Sequence, residues 1–383
     1  MNRDTEISLL KRIVELVENR GNQLGESGNL QVAHYIDPAH TELEMEGLFK
    51  GFPILAGHIR QLPKQGSYIS LDIGHTPVIV IRDREDQLHA LVNACRHRGA
   101  RLATEPCGAA KAFSCPYHAW VYKDNGELHA ISEPEAFPDV NKSELGLKRL
   151  PISEAAGMLW VTPGTQAQHD EGMQTLQPVI DDLSHFGLGQ HVVKKTAIQH
   201  PRCNWKLVID AFSEGYHLKT LHKNSVKQFF AGAGTIFDAM GPHTRTVGAR
   251  REIEDYKNRD EQDWDFRGWT TPFYTLFPNT VLVFHPDWIS RITVFPEGPD
   301  LCRVHHDMWV QEDAGLDDDY LSKTFKLINE VVFAAEDIAM CEQIQSAARA
   351  GVDTEWRIGG IETPVLWFHQ ACWKALGLDS SGK

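Results

Sequence analysis

The pattern of hydrophobic and polar residues changes from one segment of the chain to the next. Apolar residues recur at helical spacing over residues 6–20, which predicts an amphipathic helix. Apolar and polar residues then alternate in short segments from residue 68 to 92, separated by turn-prone residues, which predicts an antiparallel meander. A further strand is predicted over 157–161. The polar, glutamine-rich stretch 163–172 that follows is a candidate linker.

The second half of the chain mixes strand and helix patterns. Residues 280–284 and 290–295 predict strands of a larger sheet. One apolar stripe at helical spacing runs from residue 317 to 350 and is followed by Gly351, which predicts a long helix. No glycine-rich dinucleotide fingerprint follows a predicted strand. If the function needs nicotinamide or flavin, we therefore expect another protein to bind it.

The composition is that of an ordinary globular protein. The 383 residues, 42% hydrophobic and 23% charged, allow two or three domains. No apolar run approaches the roughly 18 residues of a membrane span, and no signal peptide is evident. The seven cysteines do not suggest a disulfide framework, so we expect the reducing cytoplasm. A net charge of −14 argues against nucleic acid as a partner.

Two short cysteine–histidine motifs, which we call the clips, stand about twenty residues apart. Cys95 and His97 form the first clip, and Cys115 and His118 form the second. Two cysteines and two histidines are compatible with a tetrahedral zinc site or with a Rieske [2Fe–2S] cluster. Zinc sites of mixed ligation usually place two cysteines together and two histidines together. Because cysteine and histidine alternate here, the spacing favours the cluster, and with it a role in electron transfer.

A second group of metal-ligand residues lies in the other half of the chain. His217 and His222 would point roughly 140° apart on an ideal helix, so they share a metal only if the helix ends or distorts between them. The predicted long helix supplies Glu336 and Asp337 among apolar neighbours, where a carboxylate needs a partner. Two imidazoles and one carboxylate form the facial triad of oxygen-activating non-haem iron.

Taken in order, the motifs identify a family. The chain reads Cys-x-His-Arg-Gly, fifteen residues, then Cys-Pro-Tyr-His-x-Trp. It continues with Asn-Trp-Lys, then Glu-x-Tyr-His-x-x-x-x-His, and later Glu-Asp-x-x-x-Cys-Glu-x-x-Gln. This order resembles the catalytic α subunits of the Rieske non-haem iron oxygenases, from about residue 50 to 350. A zinc protein or a pure electron carrier is the alternative.

The resemblance implies cofactors and their ligands. Cys95 and Cys115 would bind one iron of a Rieske [2Fe–2S] cluster, and His97 and His118 would bind the other. A mononuclear Fe(II) would be bound by the following three residues: His217, His222 and Asp337. Glu336 is the alternative to Asp337 as the carboxylate ligand.

Further residues take roles from the same resemblance. Glu214 falls where the family has an acidic bridge between an iron-bound histidine and a cluster histidine of the neighbouring subunit. Asp210 either lines the substrate pocket or supports Glu214, and we count both as candidate catalytic residues. Three aromatic residues are candidates for the pocket: Phe212, Phe284 and Phe333.

The resemblance also implies an architecture. We expect an α+β fold in which an antiparallel β Rieske [2Fe–2S] domain, residues 47–162, is joined to a catalytic mononuclear iron domain, residues 163–383. The catalytic domain would have a helix-covered antiparallel sheet of the helix-grip or START-like kind, with helical residues 1–46 packed on it. A head-to-tail homotrimer is expected, because the two metal centres of one subunit are too far apart in this family for fast electron transfer. A ferredoxin or flavin reductase would donate the electrons.

The expected function is that of a terminal oxygenase that hydroxylates or cis-dihydroxylates a hydrophobic, aromatic or alicyclic substrate, as in aromatic hydrocarbon catabolism. Two positions depart from the common family pattern. Glu214 stands where many ring dioxygenases have aspartate, and Ala119 stands where glycine commonly follows the second cluster histidine. Glutamate at the first position is also familiar in members that oxidise quaternary ammonium compounds such as betaine or carnitine. Oxidation, demethylation or C–N cleavage of such a compound is therefore the alternative function, and a Rieske electron carrier without oxygenase activity is a third.

Overall fold

The computed structural model describes residues 1–379 and residue 382. The chain divides into two compact units. The first unit, which we call the cluster unit, contains Met45–Gln174 and Leu188–Val192. The second, the catalytic unit, contains Met1–Glu44, Thr175–Gly187 and the chain from Val193 onward. In the described part of the chain, no helix has both the length and the apolar character needed to cross a membrane.

The cluster unit is built from antiparallel strands in three small sheets. The five-stranded sheet has the order Arg149–Leu150, Leu88–Val92, Thr76–Arg82, Ser67–Ile73 and Cys107–Ala109. A three-stranded sheet has the order Ile152–Ala155, Met158–Val161 and Ile54–His58. The other three-stranded sheet has the order Ala112–Ser114, Val121–Lys123 and Leu128–Ala130. The predicted meander from 68 to 92 is confirmed, as is the strand predicted over 157–161.

Both clips lie in loops that the sheets hold together. The first follows the strand Leu88–Val92, and the second lies in the connection between Ala112–Ser114 and Val121–Lys123. Cys95 and Cys115 belong to one buried core cluster, in which the apolar faces of the strands meet. The buried core therefore brings the two clips together.

The catalytic unit contains a seven-stranded antiparallel sheet. Its strand order is His191–Gln199, Leu301–Gln311, Ile289–Gly298, Thr280–Phe284, Thr270–Leu276, His243–Ala249 and Ile236–Met240. A separate two-stranded sheet pairs Gly28–Gln31 with Glu355–Ile358. The strands predicted over 280–284 and 290–295 are confirmed, and the expectation of an α+β fold with a helix-covered sheet holds.

Eight α-helices are described, and two helical regions bear on the iron site. Helix Trp205–Ser213 is the first of these. The second is the helical pattern from 317 to 350, which is confirmed as Asp318–Lys326, the π-helical segment Leu327–Ile338 and Ala339–Arg349. The remaining helices are Arg3–Glu18, Pro38–Glu44, Gln166–Ser184, Phe266–Trp269 and Thr363–Ala375, and a π-helical turn spans Met45–Phe49.

The linker predicted over 163–172 is wrong for most of its length. Helix Gln166–Ser184 begins inside this stretch, and its first turn is exposed apart from His169. Glutamine is a good helix former, so a polar run on an exposed face does not by itself distinguish a helix from a linker. A short polar stretch after a strand therefore indicates the end of the strand rather than a flexible connection.

Candidate metal centres and substrate cavity

The two clips form the same backbone loop twice. In each, the cysteine C=O accepts a hydrogen bond from the N–H four residues later, and the cysteine N–H donates to the C=O five residues later. The four bonds are Gly99 N–H to Cys95 O at 2.8 Å, Ala119 N–H to Cys115 O at 3.0 Å, Cys95 N–H to Ala100 O at 2.9 Å and Cys115 N–H to Trp120 O at 2.8 Å. These main-chain bonds hold each thiol and its imidazole in one geometry.

The residue that closes each loop has a left-handed backbone. Gly99 has φ = 77° and Ala119 has φ = 55°. An L-residue loses roughly 1–2 kcal/mol in this region, and glycine does not. The departure at Ala119 is therefore accommodated at a small conformational cost, and the loop keeps its shape.

The four side chains of the clips converge on one site. Cys95 and Cys115 are free, buried thiols. The imidazole rings of His97 and His118 have centroids 4.7 Å apart, and the Nδ1 atoms of both rings are buried without a hydrogen-bond partner. Buried polar atoms are normally satisfied, so orphaned nitrogens beside paired thiols fit a Rieske cluster.

Aromatic side chains support the same site. Trp120 stacks on His97, with ring centroids 5.1 Å apart and the planes 11° from parallel. The Tyr122 hydroxyl accepts a hydrogen bond from the Arg96 N–H at 2.9 Å and lies 3.3 Å from Cys95 Sγ. Burial raises the pKa of Tyr122 well above its usual range, so the hydroxyl keeps its proton and is able to donate a hydrogen bond to the sulfur. Hydrogen bonds to the sulfurs are one means of setting the reduction potential of such a cluster.

The second site begins where helix Trp205–Ser213 ends. Glu214 is extended and terminates the helix, and His217 then starts a short 3-10 turn. Because the α-helix ends before both histidines, His217 and His222 turn towards each other, with ring centroids 5.0 Å apart. This is the break in the helix that a shared metal requires.

Asp337 completes a three-residue site. It comes from the π-helical segment Leu327–Ile338, and its Oδ1 lies 3.0 Å from His222 Nε2 and 3.7 Å from His217 Nε2. The ligand atoms of these residues all lie within 4.8 Å of one another, and Asp337 Oδ1 is buried without a well-formed hydrogen bond. Two imidazole nitrogens and one orphaned carboxylate oxygen fit a mononuclear iron of the facial-triad type.

A further carboxylate contacts Nδ1 of each histidine, the ring nitrogen that does not face Asp337. His222 Nδ1 is 2.7 Å from Glu336 Oε2, which also accepts from the Ser225 hydroxyl at 2.6 Å. His217 Nδ1 bonds to Glu214 in the same way. Although burial opposes it, the carboxylates Glu214 and Asp337 raise the pKa of His217, and Asp337 and Glu336 raise the pKa of His222.

This geometry separates the two acidic residues that the sequence left as alternatives. Asp337 faces Nε2 of both histidines, whereas Glu336 lies at the opposite nitrogen of His222. Carboxylates in the position of Glu336 orient a metal-bound imidazole and increase its basicity.

Asp210 is engaged elsewhere. Its carboxylate accepts a hydrogen bond from the Tyr35 hydroxyl at 2.7 Å and lies 3.0 Å from His369 Nε2. It lines a cavity of about 440 Å³ together with Glu214, His217 and Glu362. Asp210 therefore lies at the wall of this cavity, with its hydrogen bonds directed to Tyr35 and His369, and its catalytic role stays a prediction.

A larger cavity, of about 450 Å³, opens on the other side of the site and has mainly apolar walls. Phe212 and Phe333 line it beside the triad, with ring centroids 5.3 Å apart. Phe284 does not line it, and this pocket assignment is wrong. Side chains alternate across a strand, so Val283 faces the cavity and Phe284 packs on Phe186 and Tyr274 instead.

One wall of the larger cavity carries a chain of neutral polar groups. His306 Nδ1 donates to Asn329 Oδ1 at 3.0 Å, and the Ser290 hydroxyl donates to His306 Nε2 at 3.0 Å. Ser290 Oγ in turn lies 3.3 Å from His285 Nε2. Burial lowers the pKa of His306 to about 4 and that of His285 to about 3, so both rings are uncharged at neutral pH. No local sequence motif marks these histidines as cavity residues.

The fold and the two sites together define a two-domain protein with an iron–sulfur centre and a non-haem iron centre. Residues 53–145 match the family model of the Rieske [2Fe-2S] domain, and residues 190–377 match that of the ring hydroxylating alpha subunit (catalytic domain). The chain therefore belongs to the Rieske non-haem iron oxygenases, among their α subunits. Its domains are those that hold a [2Fe–2S] cluster and a mononuclear iron.

Curated relatives include dioxygenases and monooxygenases. The chain is 36% identical over 198 residues to the anthranilate 1,2-dioxygenase large subunit of Acinetobacter baylyi, a match that covers 50% of this chain and 42% of that subunit. It is 28% identical over 349 residues to the chloroplastic choline monooxygenase of Beta vulgaris, covering 88% of this chain and 74% of that enzyme. The chain thus spans less than half of the first relative and about three quarters of the second.

Solved structures confirm the fold. The quaternary ammonium Rieske monooxygenase CntA superposes with a TM-score of 0.77 at 21% sequence identity, over 91% of this chain and 94% of that one.

Proposed function

We propose that this chain is the terminal oxygenase component of a multicomponent Rieske system and hydroxylates or cis-dihydroxylates a hydrophobic ring compound. The observation that carries the proposal is the apolar cavity of about 450 Å³ that ends at His217, His222 and Asp337. Cavities of this size enclose small organic molecules, and apolar walls favour a hydrocarbon body.

An iron bound at the triad would supply binding and reductive activation of O2, and the cluster would supply electrons one at a time. The chain's own residues prepare that site. Glu214 and Glu336 accept hydrogen bonds from Nδ1–H of the two histidines, which leaves each Nε2 lone pair free for a metal. Phe212 and Phe333 exclude water beside the triad and hold an apolar substrate against it.

The proposed electron donor rests on the sequence, and the proposed assembly rests on surface features. The chain has no dinucleotide motif, so a ferredoxin or a flavin reductase would deliver the electrons. Exposed Arg98 and Tyr117 flank the second cluster histidine, whereas Asp210, Glu214 and Glu362 make one wall of the smaller cavity acidic. Positive and negative surfaces of this kind can dock between copies, which supports a head-to-tail homotrimer with Glu214 as the bridge.

Glu214→Gln tests the bridge. Glu214 holds His217 as Glu336 holds His222, so the variant is first saturated with iron to offset a weaker affinity for the mononuclear iron. With both centres loaded, electron transfer between them should slow. The measurement is single-turnover oxidation of the cluster by O2 with substrate present. A normal rate in the variant would remove Glu214 from the electron path and leave the oxygenase assignment standing.

Oxidation of a quaternary ammonium compound is the second candidate. Choline monooxygenase is a relative over most of this chain, and the glycine betaine monooxygenase oxygenase subunit of Pseudomonas aeruginosa is 32% identical over 209 residues. Tyr320 donates to Asp287 at 2.9 Å at the exposed end of the cavity, where Phe229 also lies. Aromatic rings with a nearby carboxylate are what a trimethylammonium group needs.

We further propose the cytoplasm as the location. All seven cysteines are free thiols, which suits a reducing compartment.

The deciding experiment is a product screen by mass spectrometry under isotopically heavy O2, with a surrogate reductase. One panel contains ring compounds and the other contains trimethylammonium compounds. Heavy oxygen in a ring product supports the main proposal and counts the atoms inserted. An aldehyde formed only from the ammonium panel replaces it with the second candidate. If neither panel gives product when both iron centres are loaded and reduced, the result counts against both candidate functions.

A further inference from the structure

Arg250 is the one Lys or Arg among the described residues that line the larger cavity. It directly follows the strand His243–Ala249, and its side chain is only 14% exposed. Its guanidinium carbon lies 5.7 Å from the ring centre of Phe229, and Nη1 lies 3.5 Å from Thr271 Oγ1. Phe229 and Thr271 also line the cavity, so the guanidinium lies against the cavity wall.

The charge of Arg250 is poorly compensated within the chain. Arginine stays protonated at all relevant pH values, and a buried charge is costly unless it is paired. Its Nε is buried without a hydrogen bond, and its ion-pair partner Glu252, at 3.5 Å, is 54% exposed and does not line the cavity. Asp287 does line the cavity, but it is exposed and accepts a hydrogen bond from the Tyr320 hydroxyl.

The charge of Arg250 contributes to the pKa shifts of two other residues that line the cavity. Burial is the main cause of the low pKa of His285, and the charge of Arg250 contributes to it. The same charge opposes the burial that raises the pKa of Tyr320. Both residues line the cavity, so the guanidinium of Arg250 lies close enough to act on groups at the cavity wall.

We infer that Arg250 binds a carboxylate group of the substrate, and that the substrate is therefore an organic acid with an apolar body. The planar guanidinium matches a carboxylate in two parallel hydrogen bonds, and such charge-assisted pairs are strong in a partly dry site. The apolar walls take the body of the molecule and Arg250 anchors its charged end. Arg250 is thus a specificity-determining residue, and this inference rests on the oxygenase function proposed above.

The test is equilibrium binding, measured by calorimetry on the full chain with both iron centres loaded and without O2 or reductant. Benzoate and benzamide are matched in shape and differ in charge, and glycine betaine and choline form a second pair that differs in the carboxylate. We expect the acid of at least one pair to bind roughly 10- to 150-fold more tightly than its neutral or cationic partner, the range of a hydrogen bond to a charged group. No preference for the acid in either pair overturns the inference.

Variants assign the preference to a residue. Arg250→Gln should abolish the preference, whereas Arg251→Gln removes the same charge from the exposed neighbouring position and should keep it. If Arg250→Gln fails to fold, Arg250→Lys keeps the charge without the planar fork and should lose part of the preference. If Arg250→Gln still prefers the acid, the inference is overturned. Where Arg250→Lys is used in its place, an undiminished preference for the acid overturns it.

Two controls are needed. The first asks whether Arg250 or the iron binds the carboxylate, and the second separates the acid specificity from the oxygenase activity. A carboxylate could bind the iron directly, so the titrations are repeated on protein depleted of the mononuclear iron, where the preference due to Arg250 should persist. Its loss there would overturn the inference. The heavy-oxygen screen reports separately on the proposed function. Labelled product from neutral and acidic rings alike, with no role for Arg250, would leave the oxygenase standing and remove only the acid specificity.

Discussion

The two metal centres are built in opposite ways. The proposed cluster ligands lie within residues 95–118, in two loops shaped by four main-chain hydrogen bonds. Of the proposed iron ligands, His217 lies on a short 3-10 turn, His222 lies in the turns that follow it, and Asp337 lies on a distant π-helical segment. Local backbone geometry defines the first centre. The second depends on long-range packing, which brings two separate parts of the chain together.

The supporting residues differ as well. In the clips, Trp120 contacts His97 and Tyr122 contacts Cys95, and main-chain hydrogen bonds position the four side chains. At the iron site, the charged carboxylates Glu214 and Glu336 hold the histidines. A change at the iron site should therefore act through metal binding, and a change in the clips through loop conformation.

The largest effect is expected from Asp337→Ala. The variant should lose the mononuclear iron and all product, because two imidazoles alone do not complete the facial triad. The cluster should be unaffected, since Asp337 is not part of it. Iron analysis should fall from about three to about two irons per chain, with the visible absorbance of the cluster retained. Retained turnover would transfer the ligand role to Glu336.

Glu336→Gln should have a smaller effect at the same site. Removing the carboxylate behind His222 should weaken affinity for the mononuclear iron by about 10- to 100-fold, the usual cost of losing such a partner. Chelator competition measures the affinity. Glu330→Gln, an exposed change on the same π-helical segment, is the matched control. Equal affinity in the two variants would show that Glu336 does not support His222.

The two units should also differ in their response to acid. The histidines whose pKa is lowered to about 3 or 4 all lie in the catalytic unit, and they are His34, His243, His285, His305 and His306. These rings are neutral when folded and take up protons when unfolded. Their contribution to stability is therefore complete above about pH 6.5 and is lost as the pH falls below that value.

His243→Asn isolates one of these groups. His243 Nδ1 accepts from the Phe277 N–H at 2.9 Å, and an asparagine oxygen can take over that bond. Between pH 6 and 4 the free energy of unfolding should fall less steeply, by about 1.4 kcal/mol per pH unit. Urea unfolding followed by tryptophan fluorescence measures the slope, with exposed His185→Asn as the control. Identical slopes in both variants would contradict the prediction.

The smallest effect concerns the clips, where two reciprocal changes compare the loops. Ala119→Gly should stabilise the cluster unit by about 0.5–1 kcal/mol. Glycine relieves the strain of the left-handed backbone, but it also raises the conformational entropy of the unfolded chain, which offsets part of that stabilisation. Gly99→Ala should destabilise it by about 1 kcal/mol through backbone strain alone, since an added Cβ meets nothing within 4 Å. Thermal unfolding with cluster absorbance as the probe measures both. Shifts of the same sign would show that the loops are not equivalent.

Much of the molecule could be predicted from the sequence. The alternating segments from 68 to 92 and the stripe from 317 to 350 are strong periodic patterns, and periodicity reflects the burial that forms the elements. The clips could be recognised because their ligands are neighbours along the chain. The helix that begins at Gln166 could not, since a polar helical face and a linker have the same composition.

The sequence by itself determined which elements form, which residues are able to bind metals and, through the order of the motifs, the family. Tertiary structure alone decided how those residues are used. It placed Glu336 behind His222, turned Phe284 away from the cavity and brought Arg250 to the cavity wall. The physical reason is that periodicity and spacing act over a few residues, whereas partners across a cavity are chosen by packing between segments far apart in the chain.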